Sequence, residues 1–166
     1  MAHPKIKEVR LLIDPKGIVL YFTRPTISLY STRQVVGAIE EVLGEEIEWE
    51  VQNLDLGDIR FSALLPWESE PRRGDPWKGG VYYRSSQVTN RPPVIEAFLL
   101  RLVCTNGLTA PESIQRFSWS YGAEKFREWA VESTAKAYEL VSAKMEKVHQ
   151  LTEITFDGEA SKAVAS

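Results

Sequence analysis

The sequence predicts an α+β fold: an antiparallel meander sheet packed on one face by a short helix in the N-terminal half and a long C-terminal helix. Three observations predict it. A series of β-rich segments bounded by turn residues fills the middle of the chain. Two stretches on either side of that series carry apolar residues at helical three-and-four spacing. Each apolar stripe is one-sided, and placing both helices on one side of the sheet buries them all.

Taken in order, segments 9–13 and 18–22 are β-rich and flank Asp14-Pro15-Lys16-Gly17, the chemistry of a tight turn, so they form a hairpin. Ser31 and Gln34 have the spacing of a capping box. Val35, Val36, Ile39, Val42 and Leu43 then recur helically until Gly44. Between 46 and 53, Ile47, Trp49 and Val51 alternate with Glu46, Glu48 and Glu50, a strand with one buried face and one wet, acidic face. Leu54-Asp55-Leu56-Gly57-Asp58 reads as a turn into a second strand over 59–65.

Segment 66–80 is rich in Pro, Gly and charge and is expected to be a long exposed loop. Further strands are expected over 81–85, 94–105 and 114–119. An apolar run alone leaves 96–104 open to a short buried helix, with strand favoured. From 123 to about 151, Phe126, Trp129, Ala130, Ser133, Ala137, Leu140, Val141, Val148 and Leu151 mark one face of the long helix. Residues 1–156 are expected to form a single domain and 157–166 a flexible tail.

With 166 residues and 43% hydrophobic content, the chain can build one core. A formal charge of −3 excludes a generally basic coat, so any nucleic-acid site must be a local patch. Cys104 is the only cysteine, which excludes an internal disulfide and a four-thiolate zinc site. The start of the chain lacks a signal-peptide apolar run, and no stretch is long enough to span a bilayer. A cytoplasmic protein without membrane partners is expected.

Charge is unevenly distributed. Residues 1–59 hold six Lys or Arg against ten acids, residues 60–127 hold ten against six, and residues 128–166 hold four against seven. The middle cations are Arg60, Arg72, Arg73, Lys78, Arg84, Arg91, Arg101, Arg116, Lys125 and Arg127. Arginine suits phosphate because its planar fork donates two parallel hydrogen bonds. Trp67, Trp77, Tyr82, Tyr83, Phe117 and Trp119 lie among them, and cations with stacking faces are what a single-strand site needs. The candidate site is therefore Arg72, Arg73, Trp77, Lys78, Tyr82, Tyr83, Arg84, Arg91 and Arg101. A plainer account weighs more heavily: strands are rich in aromatics, and scattered arginines face solvent.

Catalytic readings lack parts. His3 and His149 are the only histidines, too few for a multi-histidine metal site. Glu50, Asp55 and Asp58 could gather a magnesium ion, but a turn explains Asp55 and Asp58 more simply. Gly79-Gly80 lacks the spacing of a phosphate loop, and Asn106-Gly107 suits a hairpin turn. Cys104 sits in an apolar run and reads as a buried thiol. No catalytic residue, cofactor or metal is expected.

Two strings carry a resemblance. Gly79-Gly80-Val81-Tyr82-Tyr83-Arg84-Ser85-Ser86-Gln87-Val88, followed by Arg101-Leu102-Val103-Cys104-Thr105-Asn106-Gly107-Leu108, resembles a phage and plasmid-like protein family of unknown function. Many members of that family carry a His shortly before a Gly after the next strand, where this chain reads Ser120-Tyr121-Gly122. The element order is also similar to the core of the single-strand annealing superfamily of the RecT, Redβ, Erf and Rad type. These resemblances imply a mobile-element setting and ring or filament assembly, hence a homo-oligomer.

The function expected first is non-covalent binding and annealing of single-stranded DNA, with strong salt dependence. The alternative is a small interaction protein that blocks a host protein through the acidic strand around Glu46, Glu48 and Glu50, or through the long helix. A third reading, a metal-dependent nuclease, needs clustered carboxylates.

Overall fold

The computed structural model describes residues 10–13, 15–23, 30–55, 57–86, 91–102, 109–120 and 125–153. Within them, β1 (Arg10–Ile13) and β2 (Val19–Thr23) form a hairpin, α1 spans Thr32–Leu43, and five strands follow before α2 (Phe126–Glu153). Those strands are β3 (Glu48–Asp55), β4 (Asp58–Arg72), β5 (Asp75–Ser85), β6 (Val94–Leu102) and β7 (Thr109–Ser118). They pair antiparallel in sequence order as one meander sheet. Cys104, Asn106-Gly107, the 103–108 part of the family string, Tyr121-Gly122 and the C-terminal tail lie outside the described residues.

The first helix starts where its capping box says it should. Ser31 Oγ accepts from the Arg33 N–H at 3.2 Å, and the Ser31 N–H donates to Gln34 Oε1 at 3.1 Å. Gly44 ends the helix at φ +88°, its N–H donating to the Glu40 carbonyl. Val35, Ala38 and Ile39 are buried in the core shared with the sheet and α2. The long helix packs across β4 to β7 and against α1. Ala130, Ala137 and Val141 on it are fully buried, whereas Leu151, expected on the buried face, is exposed.

Both helices lie on one face, so strand alternation divides every side chain between a helix side and an open side. Phe61, Ala63, Val81, Tyr83, Ile95, Ala97 and Leu99 fill the helix side. There Trp49, Phe61 and Tyr83 pack ring to ring at 5.6 and 5.0 Å. At the end of the sheet Tyr30, Trp119 and Phe126 form a second aromatic cluster, and the Tyr30 hydroxyl donates to the Ser86 carbonyl at 3.0 Å.

The structure corrects the expected loop over 66–80: β4 and β5 run through it as a long hairpin that turns at Arg73-Gly74. The breakers were real, but each sits where the ladder tolerates it. Pro66 falls in the register shift between Leu64 and Glu68, and Pro71 in the one between Ser69 and Arg72. Pro76 lies beyond Trp77↔Arg101, the last pair of β5 with β6. Gly74 takes the left-handed turn position at φ +80°. Segment 94–102 is strand, which settles the helix alternative there against the helix.

Candidate nucleic-acid interface

The open side of the sheet is a trough. Residues from all five strands, from Glu48 on β3 to Arg116 on β7, line one cavity of about 650 Å³. Edge strands can share a cavity only if the sheet curls, and the register shifts in the β3–β4, β4–β5 and β6–β7 pairs supply the bends. Gly80 permits the packing of the floor: a Cβ there would meet the Ala63 carbonyl at 2.7 Å and the Phe98 ring at 2.8 Å. The Phe98 ring therefore packs against the β5 backbone at Gly80, and Leu64, Leu100 and Pro111 line the same cavity.

A polar row crosses the middle of the trough in register: Ser62, Tyr82, Glu96 and Arg116 are successive cross-strand partners. Gln52 Nε2 donates to Ser62 Oγ at 3.2 Å, and Arg116 Nε donates to Glu96 Oε2 at 2.8 Å. Glu96 is 8% exposed, so its carboxylate is held in place by that arginine. Burial raises the Tyr82 pKa above the ordinary tyrosine value, and Arg60 and Arg84 partly offset the rise.

A second depression of about 830 Å³ adjoins the first, with Tyr82 and Arg84 lining both. It is lined by Arg60, Arg84 and Arg91, with Asp58 as its acid. Arg60 and Arg84 are directly opposed on β4 and β5, and like charges so placed repel. Asp58 bonds Arg60 at 2.7 Å, while Arg84 forms no ion pair among the described residues. The buried Ser85 Oγ on the same wall has no hydrogen-bond partner among the described residues. Exposed cations and a hydroxyl around one depression can receive an anionic oxygen.

Of the expected site, Lys78, Tyr82, Arg84 and Arg91 converge here. Lys78 is committed to Glu48 at 2.6 Å. The others do not converge. Tyr83, 0% exposed, points into the core and offers no stacking face. Trp77 packs on the helix side, with Arg101 over its ring at 5.7 Å, and Arg101 also pairs with Asp75 at 2.6 Å. That pairing raises the Arg101 pKa. Arg73 is exposed at the hairpin turn, and Arg72 belongs to the strand beside it, its side chain outside the described residues.

Arg60, Glu96, Phe98 and Arg116 complete the trough without having been singled out for it. Period-two phase, counted from Tyr82, assigns Arg60, Glu96 and Arg116 to one face once the strand register is known. On the opposite side of the molecule, Ser69 Oγ and His149 Nε2 are hydrogen-bonded at an exposed contact between β4 and α2. Neither trough cavity reaches that pair. Among the described residues, no group of three His, Cys, Asp or Glu could hold a metal, and no helix is long and apolar enough to cross a membrane. Asp58, considered for magnesium, accepts from Arg60 and Asn53 instead. No family model, curated protein or solved structure matches the chain.

Proposed function

We propose that the trough binds single-stranded nucleic acid without covalent chemistry, and that this protein serves strand binding and annealing in a phage or other mobile element. The observation that carries the reading is the opposed pair Arg60 and Arg84, with Arg91 nearby, around one depression. Two arginines at directly opposed strand positions favour an anion between them, and a nucleic-acid backbone supplies phosphates in series. Tyr82 then offers a ring face to a base, and Glu96 can accept from an exocyclic amine. The resemblance to mobile-element and annealing proteins supports the same assignment.

The ion pairs of Lys78, Arg60 and Arg116 limit how much charge is available to phosphate. Salt dependence is therefore shallower than the cation count alone suggests. Neutralising two or three phosphates at about −0.7 each gives a slope near −2 in log K against log salt. Fluorescence anisotropy of labelled oligonucleotides tests this: binding to single strands at low salt, weaker binding to duplex and a slope near −2 are expected. No binding at low salt overturns the reading.

A second reading draws on the apolar floor of Leu64, Phe98 and Leu100 beside the Glu96–Arg116 pair. A cavity of about 650 Å³ lies in the range that holds small amphipathic molecules. Length dependence separates the two, since strand binding tightens from mononucleotide to oligonucleotide and a small-molecule site does not.

A further inference from the structure

The positive charge of the open side is gathered at one end of it. Among the described residues, the large cavity is lined by Lys78, Arg84 and Arg116 against Glu48, Glu50 and Glu96. Lys78 and Arg116 are each paired with one of those acids, at 2.6 and 2.8 Å. Most of the trough is therefore electrically balanced, and a row of backbone phosphates gains little along it.

The adjoining depression differs in place and in charge. Asp58 begins β4, Ser85 ends β5, Val94 begins β6 and Ser118 ends β7; all four line it, so it sits at one end of the sheet. Its described lining carries Arg60, Arg84 and Arg91, all exposed, with Asp58 as the acid. Three cations against one acid leave an excess of +2. Leu56 and residues 85–90, the neighbours in sequence, add no charged side chain.

An internal phosphodiester carries a single negative charge. A terminal phosphomonoester carries about −1.5 to −2 at neutral pH and three strong acceptor oxygens. A concentrated positive excess at the end of a balanced trough matches the terminal group, and arginine presents paired donors to its oxygens. We propose that Arg60, Arg84 and Arg91 seat the terminal phosphate of a nucleic-acid strand whose first base lies in the trough at Tyr82. The proposal rests on the nucleic-acid reading of the trough and adds that the strand is held by its end. Tyr82 and Arg84 line both cavities, so the first base and its phosphate share one wall. Anchoring an end also fixes the polarity with which the strand enters.

The test titrates the full chain at low salt with one short, internally labelled single-stranded oligonucleotide in three forms: unphosphorylated, 5′-phosphorylated and 3′-phosphorylated. One phosphorylated form is expected to bind about tenfold more tightly than the unphosphorylated strand, as added charge-assisted hydrogen bonds require. The monoester loses its second charge with a pKa of about 6, so that advantage is expected to shrink to about twofold at pH 5. Arginine keeps its charge across this range, so the change reports on the ligand. Arg60→Gln and Arg84→Gln are each expected to cut the advantage at neutral pH to about twofold. Equal binding of all three strands by wild type overturns the end seat and leaves the trough reading standing, whereas no binding of any strand overturns both. An advantage that survives both substitutions places the phosphate elsewhere and overturns the proposal. So does a nucleoside monophosphate that competes as well as the phosphorylated oligonucleotide, which assigns the depression to free nucleotides.

Discussion

Tyr82 is where the trough's two halves meet, and its chemistry follows from partial burial. Desolvation disfavours the phenolate, so the folded pKa lies above the ordinary value of 10.0. The hydroxyl therefore remains protonated at neutral pH. Because the folded value exceeds the unfolded one, this group contributes no pH dependence below about pH 10 and costs stability as pH rises through the folded value. Difference absorbance at 295 nm between wild type and Tyr82→Phe should show one tyrosine titrating late. A curve matching free tyrosine would contradict its placement. Stacking on this ring is worth about 1 to 3 kcal/mol per base, so Tyr82→Ala should weaken oligonucleotide binding by roughly tenfold. Tyr83, one residue on, is 0% exposed. The sequence Tyr-Tyr shows two rings, but only the phase of the strand against α2 says which of them reaches solvent.

Elements that depend on local chemistry were legible. The capping box at Ser31 is one, because both of its hydrogen bonds are specified within four residues. Ser31→Ala should lower stability by about 1 kcal/mol in chemical denaturation. The 66–80 hairpin was not legible, because prolines that break a regular ladder are harmless in bulges, and bulges are set by the partner strand. The glycines there have a packing cause. At Gly79 a Cβ would meet Val141 Cγ1 at 2.3 Å, so α2 approaches the sheet over a bare backbone. At Gly80 the obstacle is a carbonyl oxygen, which cannot rotate away. Gly80→Ala should therefore destabilise by about 1 to 3 kcal/mol, lowering the thermal midpoint by roughly 3 to 10 °C. A midpoint within a degree of wild type would show that the sheet is not packed as described.

At the scale of the whole molecule, the fold class followed from the order of periodic segments. The face on which the site lies did not. A net charge of −3 conceals an acidic stretch before Arg60 and an excess of cations after it, and the meander then sorts those cations by strand phase. Arg60, Lys78, Arg84, Arg91 and Arg116 emerge on the open side, with Arg101 on the other. The central claim is that the open side carries ligand binding, and it is tested most directly by charge reversal on that side against charge loss on the other. Labelled single-stranded oligonucleotide is titrated at low salt with wild type, Arg84→Glu and Arg101→Ala. Arg84→Glu is expected to weaken binding by about tenfold or more, roughly 1.4 kcal/mol. Arg101→Ala, which removes an exposed ion pair of little energetic weight, is expected to bind like wild type. Equal losses in both variants, or a loss only in Arg101→Ala, would contradict the assignment of the trough.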